Sequence, residues 1–266
     1  AHGMPYPQNL GFAQKASDLV RHHGAIPATI AILAGQVHIG LSREELKKLT
    51  TADDVQKTAL RDITWNIAQK LNGATTVSAT MHLAHLAGIC VFATGGIGGV
   101  HREAENTFDV SQDLLALSSI PMVVVSAGAK AILDLPKTLE ALETLAVTVL
   151  GYQTQEFPAF YSRQSGLLLE QSLDSEQAIA ALYQEHQRLN LQGAILVANP
   201  VPKENEIPAQ EISGMIEQAL KAAKQENISS KALTPYLLAN IGLATAGGSL
   251  ETNIALALNN VKLAAK

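Results

Sequence analysis

The chain has 266 residues, enough for one large α/β domain; 47% of them are hydrophobic and only 4% aromatic. A formal net charge of -5 at pH 7 argues against the basic surface that nucleic-acid binding needs, so no nucleic-acid partner is expected. No apolar run approaches the roughly 20 residues that span a bilayer. No membrane association is therefore expected, and a cytoplasmic location is the default.

Short apolar runs that predict strands alternate with segments of helical periodicity. The predicted strands, in chain order, are residues 28–33, 36–41, 88–93, 122–126, 148–152 and 194–198. The first two flank the short Ala34-Gly35 connection and predict a hairpin. The later ones are rich in Val, Ile and Leu without alternation, which is typical of parallel strands covered on both faces. Cys90, the single cysteine, lies in one of these runs and is predicted to be a buried thiol.

Capping residues mark the starts of several helices. Ser42 with Glu45 has the pattern of a capping box, and Asp174 with Gln177 repeats it. The predicted helices are residues 77–87, 138–145, 175–189, 209–226 and 250–264. This alternation predicts the α/β class, as a layered α/β/α domain with a mostly parallel central sheet. No linker or repeat divides the chain, so residues 1–266 are predicted to form a single catalytic domain.

The end of the predicted strand 122–126 carries the strongest candidate for chemistry. Lys130 follows the strand in the sequence SAGAK, where partial burial would favour the neutral amine, the nucleophilic form. The alternative is a lysine that reaches solvent from the first turn of a helix. The glycine loop, residues 95–99 (GGIGG), follows another predicted strand. It permits close approach of the backbone to a ligand, but it lacks the spacing of a dinucleotide-binding fingerprint.

Two further segments carry polar groups that suit an active site. Residues 73–77 (GATTV) precede a predicted helix, and backbone N–H groups there could bind phosphate; an ordinary loop with threonine caps is the alternative. Asp109, Ser111 and Asp113 alternate and offer oxygen ligands to Mg²⁺ or Mn²⁺. The alternative is that Asp109 or Ser111 caps a helix.

Several longer blocks resemble one known family. In order over essentially the whole chain they are HGMPYPQN, GAIPATIAI, NGATTVSATM, VFATGGIGGVHR, TFDVSQDL, SAGAKAILDL, GYQTQEFPAFYSR, VANPVP and NIALALNN. Together they resemble the pseudouridine-5'-phosphate glycosidase family. The resemblance implies a layered α/β/α enzyme that assembles as a homotrimer. It also implies reversible cleavage of pseudouridine 5'-phosphate to uracil and ribose 5-phosphate, with a divalent cation, usually Mn²⁺ or otherwise Mg²⁺.

The resemblance also implies roles for single residues. Protonating a heteroatom does not release a base that is attached through a carbon–carbon bond, and Lys130 would instead form an imine with the ring-opened ribose. Asp109 would hold the metal. The residues implied to bind the substrate are Lys57, Val77, Thr94, His101, Ser111, Gln112, Asp113 and Asn253.

The chain departs from the family pattern in three places. The family's proton-donating glutamate belongs to a block just before the His-Gly dipeptide, so we expect the family's N-terminal segment to be missing from a sequence that starts at Ala1-His2-Gly3. Residues 58–60 differ from the family's usual KVSRRD block, and Glu103 stands where the family has glycine. Two other functions stay open. One is a catalytically impaired or binding-only sugar-phosphate or nucleotide protein, and the other is an imine-forming aldolase that acts on another sugar phosphate.

Overall fold

The strands form two sheets, and the larger one is entirely parallel. The computed structural model describes residues 4–226, 228 and 233–266. In chain order the strands are β1 (Ile30–Leu33), β2 (Gln36–Ile39), β3 (Gln56–Thr58), β4 (Gly73–Thr75), β5 (Val91–Ala93), β6 (Val123–Ser126), β7 (Thr148–Tyr152), β8 (Ser172–Leu173) and β9 (Ile195–Ala198). The smaller sheet has the order β2-β1-β4-β3, and the larger one has the order β5-β6-β9-β7-β8. The predicted hairpin, β1 with β2, and the predicted parallel central sheet are both confirmed.

Helices connect and cover these strands. In chain order they are α1 (Gln8–His22), α2 (Arg43–Thr51), α3 (Ile63–Ala68), α4 (Val77–Leu86), α5 (Ala104–Thr107), α6 (Gln112–Ser119), α7 (Leu135–Thr144), α8 (Glu176–Arg188), α9 (Ala209–Gln225), α10 (Leu233–Ala244) and α11 (Gly248–Ala264). The five predicted helices correspond to α4, α7, α8, α9 and α11, with small differences at their ends. None of the helices in the described ranges is long and apolar enough to cross a bilayer.

Both faces of the parallel sheet are buried. Strands β6 and β9 are buried along their whole length. Val124 and Leu196 face one hydrophobic cluster, which also contains side chains of α4, α6 and α7. Val123 and Ile195 face a second cluster, to which α8 contributes Ile179. Because successive side chains of a strand point to opposite faces, the sheet lies between two helical layers, as predicted.

The helix caps agree with the sequence in one case and differ in another. At the start of α2 the N–H of Glu45 donates to Ser42 Oγ (3.2 Å) and the N–H of Ser42 donates to Glu45 Oε2 (2.8 Å), which confirms the capping box. The cap of α8 is Ser175 and not Asp174. Its Oγ accepts a hydrogen bond from the N–H of Ala178 at 3.2 Å.

The prediction that Cys90 is buried is wrong. Cys90 is exposed, and its neighbour Val91 is 42% exposed. Cys90 directly precedes β5, which lies at the edge of the parallel sheet and pairs only with β6 among the described strands. Apolar neighbours in the sequence do not distinguish an edge strand from a central one, so the pattern alone could not reveal this exposure.

The turn after β6 depends on a glycine. Gly128 has a φ of +78°, and a Cβ on it would collide with the carbonyl oxygen of Pro158. The N–H of Ile97 donates to the carbonyl oxygen of Gly128 at 3.1 Å, and the N–H of Lys130 donates to that of Ile97 at 3.1 Å. The position of Lys130 against the glycine loop therefore depends on the absence of a side chain at residue 128.

We expect Gly128→Ala to lower the free energy of unfolding by more than Gly24→Ala does. Gly24 has a similar φ of +80°, but nothing lies within 4 Å of a Cβ on it. Both variants force an alanine into the left-handed region, at a cost of about 1–2 kcal/mol. The collision with Pro158 adds about 1–3 kcal/mol in Gly128→Ala alone. Urea unfolding of the parent chain and both variants measures the difference, and equal losses would contradict the collision.

Candidate active site

A cavity of about 1880 Å³ opens at the carboxyl ends of β5 and β6. Ligands bind at this edge of open parallel sheets, because the loops that follow the strands meet there. The residues implied by the resemblance all line the cavity: Lys57, Val77, Thr94, His101, Asp109, Ser111, Gln112, Asp113, Lys130 and Asn253. The fold therefore brings together side chains from distant segments of the chain.

Lys130 lies in the loop between β6 and α7. Since α7 begins at Leu135, the alternative of a lysine in the first turn of a helix is wrong. The side chain of Lys130 is partly buried and lines the cavity. Its backbone is held on both sides, because its carbonyl oxygen also accepts a hydrogen bond from the N–H of Leu133 at 3.0 Å. The loop presents the lysine amine to the cavity from a fixed backbone position.

His101 lies close to Asp109 and two lysines. Its Nδ1 is 4.0 Å from Oδ2 of Asp109. Burial holds the pKa of His101 below its usual value of 6.5; the carboxylate of Asp109 raises it, and the positive charges of Lys130 and Lys57 lower it further. The neutral imidazole is therefore favoured near pH 7. In that form its two nitrogens provide one hydrogen-bond donor and one acceptor.

Two helix N-termini meet beside Lys57. α4 begins at Val77 and α6 begins at Gln112, and both residues line the cavity. Neither backbone N–H makes a hydrogen bond within the residues that the structure describes. Lys57 belongs to β3, which pairs in parallel with β4 directly before α4. Two N–H groups, two helix dipoles and a lysine suit a phosphate dianion. From the sequence, phosphate binding was predicted at the start of α4. At the start of α6 only a capping residue was predicted.

Asp113 holds the two helix N-termini together. Its side chain is buried; Oδ1 accepts from the N–H of Ser78 at 2.9 Å, and Oδ2 accepts from the N–H of Gly98 at 2.8 Å. One carboxylate therefore joins α6, α4 and the glycine loop. Ser111 caps α6, as the alternative interpretation predicted, by accepting the N–H of Asp113 at 3.2 Å. Contact of Asp113 with a substrate stays a prediction.

Sequence reasoning missed the asparagines that hold Thr94. Asn260 of α11 is fully buried; its Nδ2 donates to the carbonyl oxygen of Thr94 at 2.8 Å, and its Oδ1 accepts from Nδ2 of Asn199 at 2.9 Å. The N–H of Thr94 donates to the carbonyl oxygen of Val125 at 3.0 Å. The start of the glycine loop is thereby fixed on both sides. The available signal was a pair of adjacent amides in the largely apolar stretch ALALNNVKLAA.

Asp109 is the carboxylate available to a divalent cation in this part of the cavity. Its side chain is 37% exposed, whereas both oxygens of Asp113 are occupied by backbone N–H groups. Within the described ranges, no three His, Cys, Asp or Glu side chains come together as a metal site. A cation bound here would keep most of its water ligands, as Mg²⁺ commonly does, and oxygen donors also suit Mn²⁺. The arrangement does not fit zinc, which takes three or four protein ligands.

Two of the three departures from the family pattern, at residues 58–60 and at Glu103, lie at the margins of this site, and the third, at Ala1-His2-Gly3, lies outside the described residues. Glu103 has a left-handed φ of +59°, a conformation that favours glycine, and its carboxylate lies 3.2 Å from Nζ of Lys224 in α9. Thr58 is buried, and its Oγ1 accepts a hydrogen bond from Nδ2 of Asn66. Neither departure removes the lysine amine, the two helix N-termini or the Asp109 carboxylate.

Comparison with known sequences gives matches over the full length of the chain. The family described as "Indigoidine synthase A like protein" matches residues 1–266. A pseudouridine-5'-phosphate glycosidase of Methylobacterium nodulans is 54% identical over 265 residues, which cover 100% of this chain and 79% of that protein. A pseudouridine-5'-phosphate glycosidase of Paracoccus denitrificans is 53% identical over 267 residues. The match covers 100% of this chain and 88% of that protein. The resemblance to these glycosidases is confirmed.

Solved structures agree with this assignment. An indigoidine synthase A (IdgA)-like protein from Thermotoga maritima superposes with a TM-score of 0.93 at 38% identity, covering 99% of this chain and 87% of that one. A second solved structure is that of the prealnumycin C-glycosynthase AlnA in complex with ribulose 5-phosphate. It superposes with a TM-score of 0.91 at 35% identity and covers 98% of this chain and 86% of that one. With the match over its whole length, the chain belongs to the family of indigoidine synthase A-like proteins.

Proposed function

We propose that the chain cleaves the carbon–carbon glycosidic bond of pseudouridine 5'-phosphate reversibly, giving uracil and ribose 5-phosphate. The observation that carries the proposal is the presence of the Lys130 amine in the same cavity as Lys57 and the N-termini of α4 and α6, groups that suit a phosphate. Relatives about half identical to this chain are named for this substrate. A structural relative was solved with a five-carbon sugar phosphate bound.

Imine formation explains why such an enzyme uses a lysine. In the synthetic direction, the neutral amine of Lys130 adds to the aldehyde carbon C1 of open-chain ribose 5-phosphate, and loss of one water leaves the imine. The electron-rich C5 of uracil then adds to C1 and later loses its proton. The sugar O4 closes the ring by displacing the lysine amine. Cleavage follows the same steps in reverse and consumes one water, so the enzyme is a lyase-like glycosidase acting on a C-glycosyl bond.

The remaining residues of the cavity bind and orient the sugar phosphate. The phosphate lies against Lys57 and the N–H groups of Val77 and Gln112, with the hydroxyl of Ser111 nearby. The sugar carbons then extend along the glycine loop towards Lys130. The neutral ring of His101 provides a donor and an acceptor to sugar hydroxyls or to the base. The burial of its ring supports this role.

Asp109 would hold the divalent cation, Mn²⁺ or Mg²⁺, through its partly exposed carboxylate. When bound, the cation supplies a positive charge and ordered water next to the sugar. Asp109 also lies close enough to His101 to influence the charge of the imidazole.

Assembly as a homotrimer in the cytoplasm is part of the proposal. Large apolar side chains are exposed on several elements of the single chain, including Trp65 at 63%, Leu86 at 71% and Phe108 at 86%. Apolar surface of this kind is commonly covered by a partner subunit.

We expect borohydride reduction in the presence of ribose 5-phosphate to attach the sugar to Lys130. Intact mass measurement and peptide mapping locate the adduct. Lys130→Met removes the amine, so it should form no adduct and lose turnover by roughly 10³-fold or more. Lys137→Met is the matched control, because Lys137 is an exposed lysine paired with Glu105 at 2.7 Å. It should trap sugar and turn over like the parent chain.

Two results would contradict the role of Lys130. One is an adduct on another lysine, and the other is appreciable turnover in Lys130→Met. Product analysis separates the proposed reaction from that of an aldolase. Uracil and ribose 5-phosphate are expected, whereas retro-aldol fragments of the sugar would indicate an aldolase. Sugar trapping without any turnover would indicate a binding-only protein.

We expect Lys57→Met to raise the KM for pseudouridine 5'-phosphate by about 10- to 100-fold, because a hydrogen bond to a charged group contributes about 1.5–3 kcal/mol. The KM for unphosphorylated pseudouridine should not change. Steady-state kinetics with both substrates measures the two effects, and Lys48→Met, on an exposed face of α2, is the control. A similar rise in KM for both substrates would argue against a phosphate contact.

We expect Asp109→Asn to weaken the binding of the divalent cation. After dialysis against a chelator, the concentration of Mn²⁺ that restores half of the activity should rise by about 10-fold or more, because a neutral amide is a poorer cation ligand than a carboxylate. Direct Mn²⁺ binding, measured by calorimetry, should weaken in parallel. The exposed Asp53→Asn variant is the control. Unchanged Mn²⁺ affinity in Asp109→Asn would place the cation elsewhere.

A further inference from the structure

Three parallel strands of the larger sheet end beside one pair of asparagine side chains. Asn199 directly follows β9, and its N–H donates to the carbonyl oxygen of Ser126, the last residue of β6, at 2.8 Å. Asn260, in α11, donates from Nδ2 to the carbonyl oxygen of Thr94, which directly follows β5, at 2.8 Å. Nδ2 of Asn199 donates to Oδ1 of Asn260 at 2.9 Å. The asparagine pair therefore connects the carboxyl ends of β5, β6 and β9.

One carbonyl oxygen links this pair to the loop that carries Lys130. The carbonyl oxygen of Gly95 accepts from Nδ2 of Asn260 at 3.3 Å and from the N–H of Ala127, which directly follows β6, at 2.9 Å. Further along, the N–H of Lys130 donates to the carbonyl oxygen of Ile97 at 3.1 Å. Asn260 thus holds the start of the glycine loop, and the glycine loop holds the lysine loop at two points.

Burial keeps water away from these amides. Asn260 is fully buried and Asn199 is 5% exposed, and neither is among the described residues that line the cavity. A buried polar group is costly unless hydrogen bonds satisfy it, so both side chains favour the one arrangement in which their partners are in place. Since neither side chain lines the cavity, any effect on the reaction must pass through the backbone that they hold.

The hydrogen bonds of Asn260 require an amide. Carbonyl oxygens only accept hydrogen bonds, so the group that faces Thr94 and Gly95 must donate. The group that faces Nδ2 of Asn199 must accept at the same time. A carboxamide does both without carrying a charge, whereas a carboxylate accepts only. The chemistry of this position therefore distinguishes asparagine from aspartate, although the two side chains have nearly the same size.

We propose that Asn199 and Asn260 are positioning residues for Lys130, which set the rate of imine formation through the backbone of the glycine loop. This inference rests on the proposed function, because it assumes that Lys130 forms the imine. A misplacement of about 1 Å can cost roughly 100-fold in rate. The N-termini of α4 and α6 are held by a different contact, the carboxylate of Asp113. Loosening the asparagine pair should therefore slow the amine without weakening the binding of the sugar phosphate.

Asn260→Asp tests the inference because it makes the asparagine pair sensitive to pH. Burial and the two carbonyl oxygens raise the pKa of the introduced carboxyl group above the usual value of about 3.9. The protonated acid still donates to Thr94 and accepts from Asn199, but the carboxylate cannot donate. Relative to the parent chain at the same pH, we expect cyanoborohydride trapping of ribose 5-phosphate on Lys130 to be equally fast at about pH 5 and roughly 10- to 100-fold slower at about pH 9. The sugar-phosphate concentration that gives half of the maximal trapping rate should not change.

Asn259→Asp is the matched control. Asn259 is the neighbouring asparagine of the same helix, and its Nδ2 donates to the carbonyl oxygen of Pro200 at 3.1 Å. Neither of these two residues is among the described residues that line the cavity, so the variant should trap sugar like the parent chain at both pH values.

A second variant covers the case in which Asn260→Asp folds poorly. Asn199→Ala removes one neutral hydrogen bond and leaves those from Asn260 to Thr94 and Gly95 in place. Trapping should slow by roughly 2- to 10-fold, to the same extent at every pH, because no titratable group is introduced.

Parent-like trapping rates in both variants would overturn the inference. A slower rate accompanied by an equal loss of sugar-phosphate binding would also overturn it, because that result indicates a general structural role. If the parent chain itself forms no adduct with ribose 5-phosphate, the proposed function fails and the positioning role fails with it. An adduct in the parent chain together with parent-like rates in the variants overturns the positioning role alone.

Discussion

Two backbone N–H groups, from Ser78 at the start of α4 and from Gly98 in the glycine loop, donate to the buried carboxylate of Asp113. Burying a carboxylate is costly unless donors replace its water, and these hydrogen bonds provide that replacement. Because Asp113 lies in the first turn of α6, one side chain sets the relative positions of two helix N-termini and a loop. The proposed phosphate site requires that arrangement, so it depends on this buried contact.

Parallel pairing of β5 with β6 provides the second constraint. The two strands end at the same edge, and the loops that follow them run side by side, joined through Ile97, Gly128 and Lys130. Neighbouring groups leave no room for a Cβ at Gly96, Gly98 and Gly99 in the first loop or at Gly128 in the second, which explains the glycines at these positions. Asn260 adds a further restraint from α11 by holding the carbonyl oxygen of Thr94. The amine thus reaches the cavity from a backbone that is restrained on several sides.

The parallel sheet was predictable because most of its strands are runs of buried Val, Ile and Leu. Strands β3, β4 and β8 could not be predicted, because they have only two or three residues each and are defined by pairing with distant segments. Lys130 and Asp109 could be named from local sequence patterns and from the resemblance. The hydrogen bond by which Asn260 holds the carbonyl oxygen of Thr94 could not be predicted, because the two residues are 166 positions apart in the chain. The position of Phe160 against Gly96 likewise depends on a contact between distant segments.

The size of the cavity has a consequence for water. Ligand pockets commonly measure about 300–1,000 Å³, so a cavity of about 1880 Å³ holds solvent beside a bound nucleotide. Water is itself a reactant when an imine is hydrolysed, and it is a product when the imine forms. Solvent in a site of this size can supply and take up this water. In the proposed reaction the same solvent competes with uracil for the imine carbon, so net synthesis requires enough uracil to intercept the imine before hydrolysis releases the sugar.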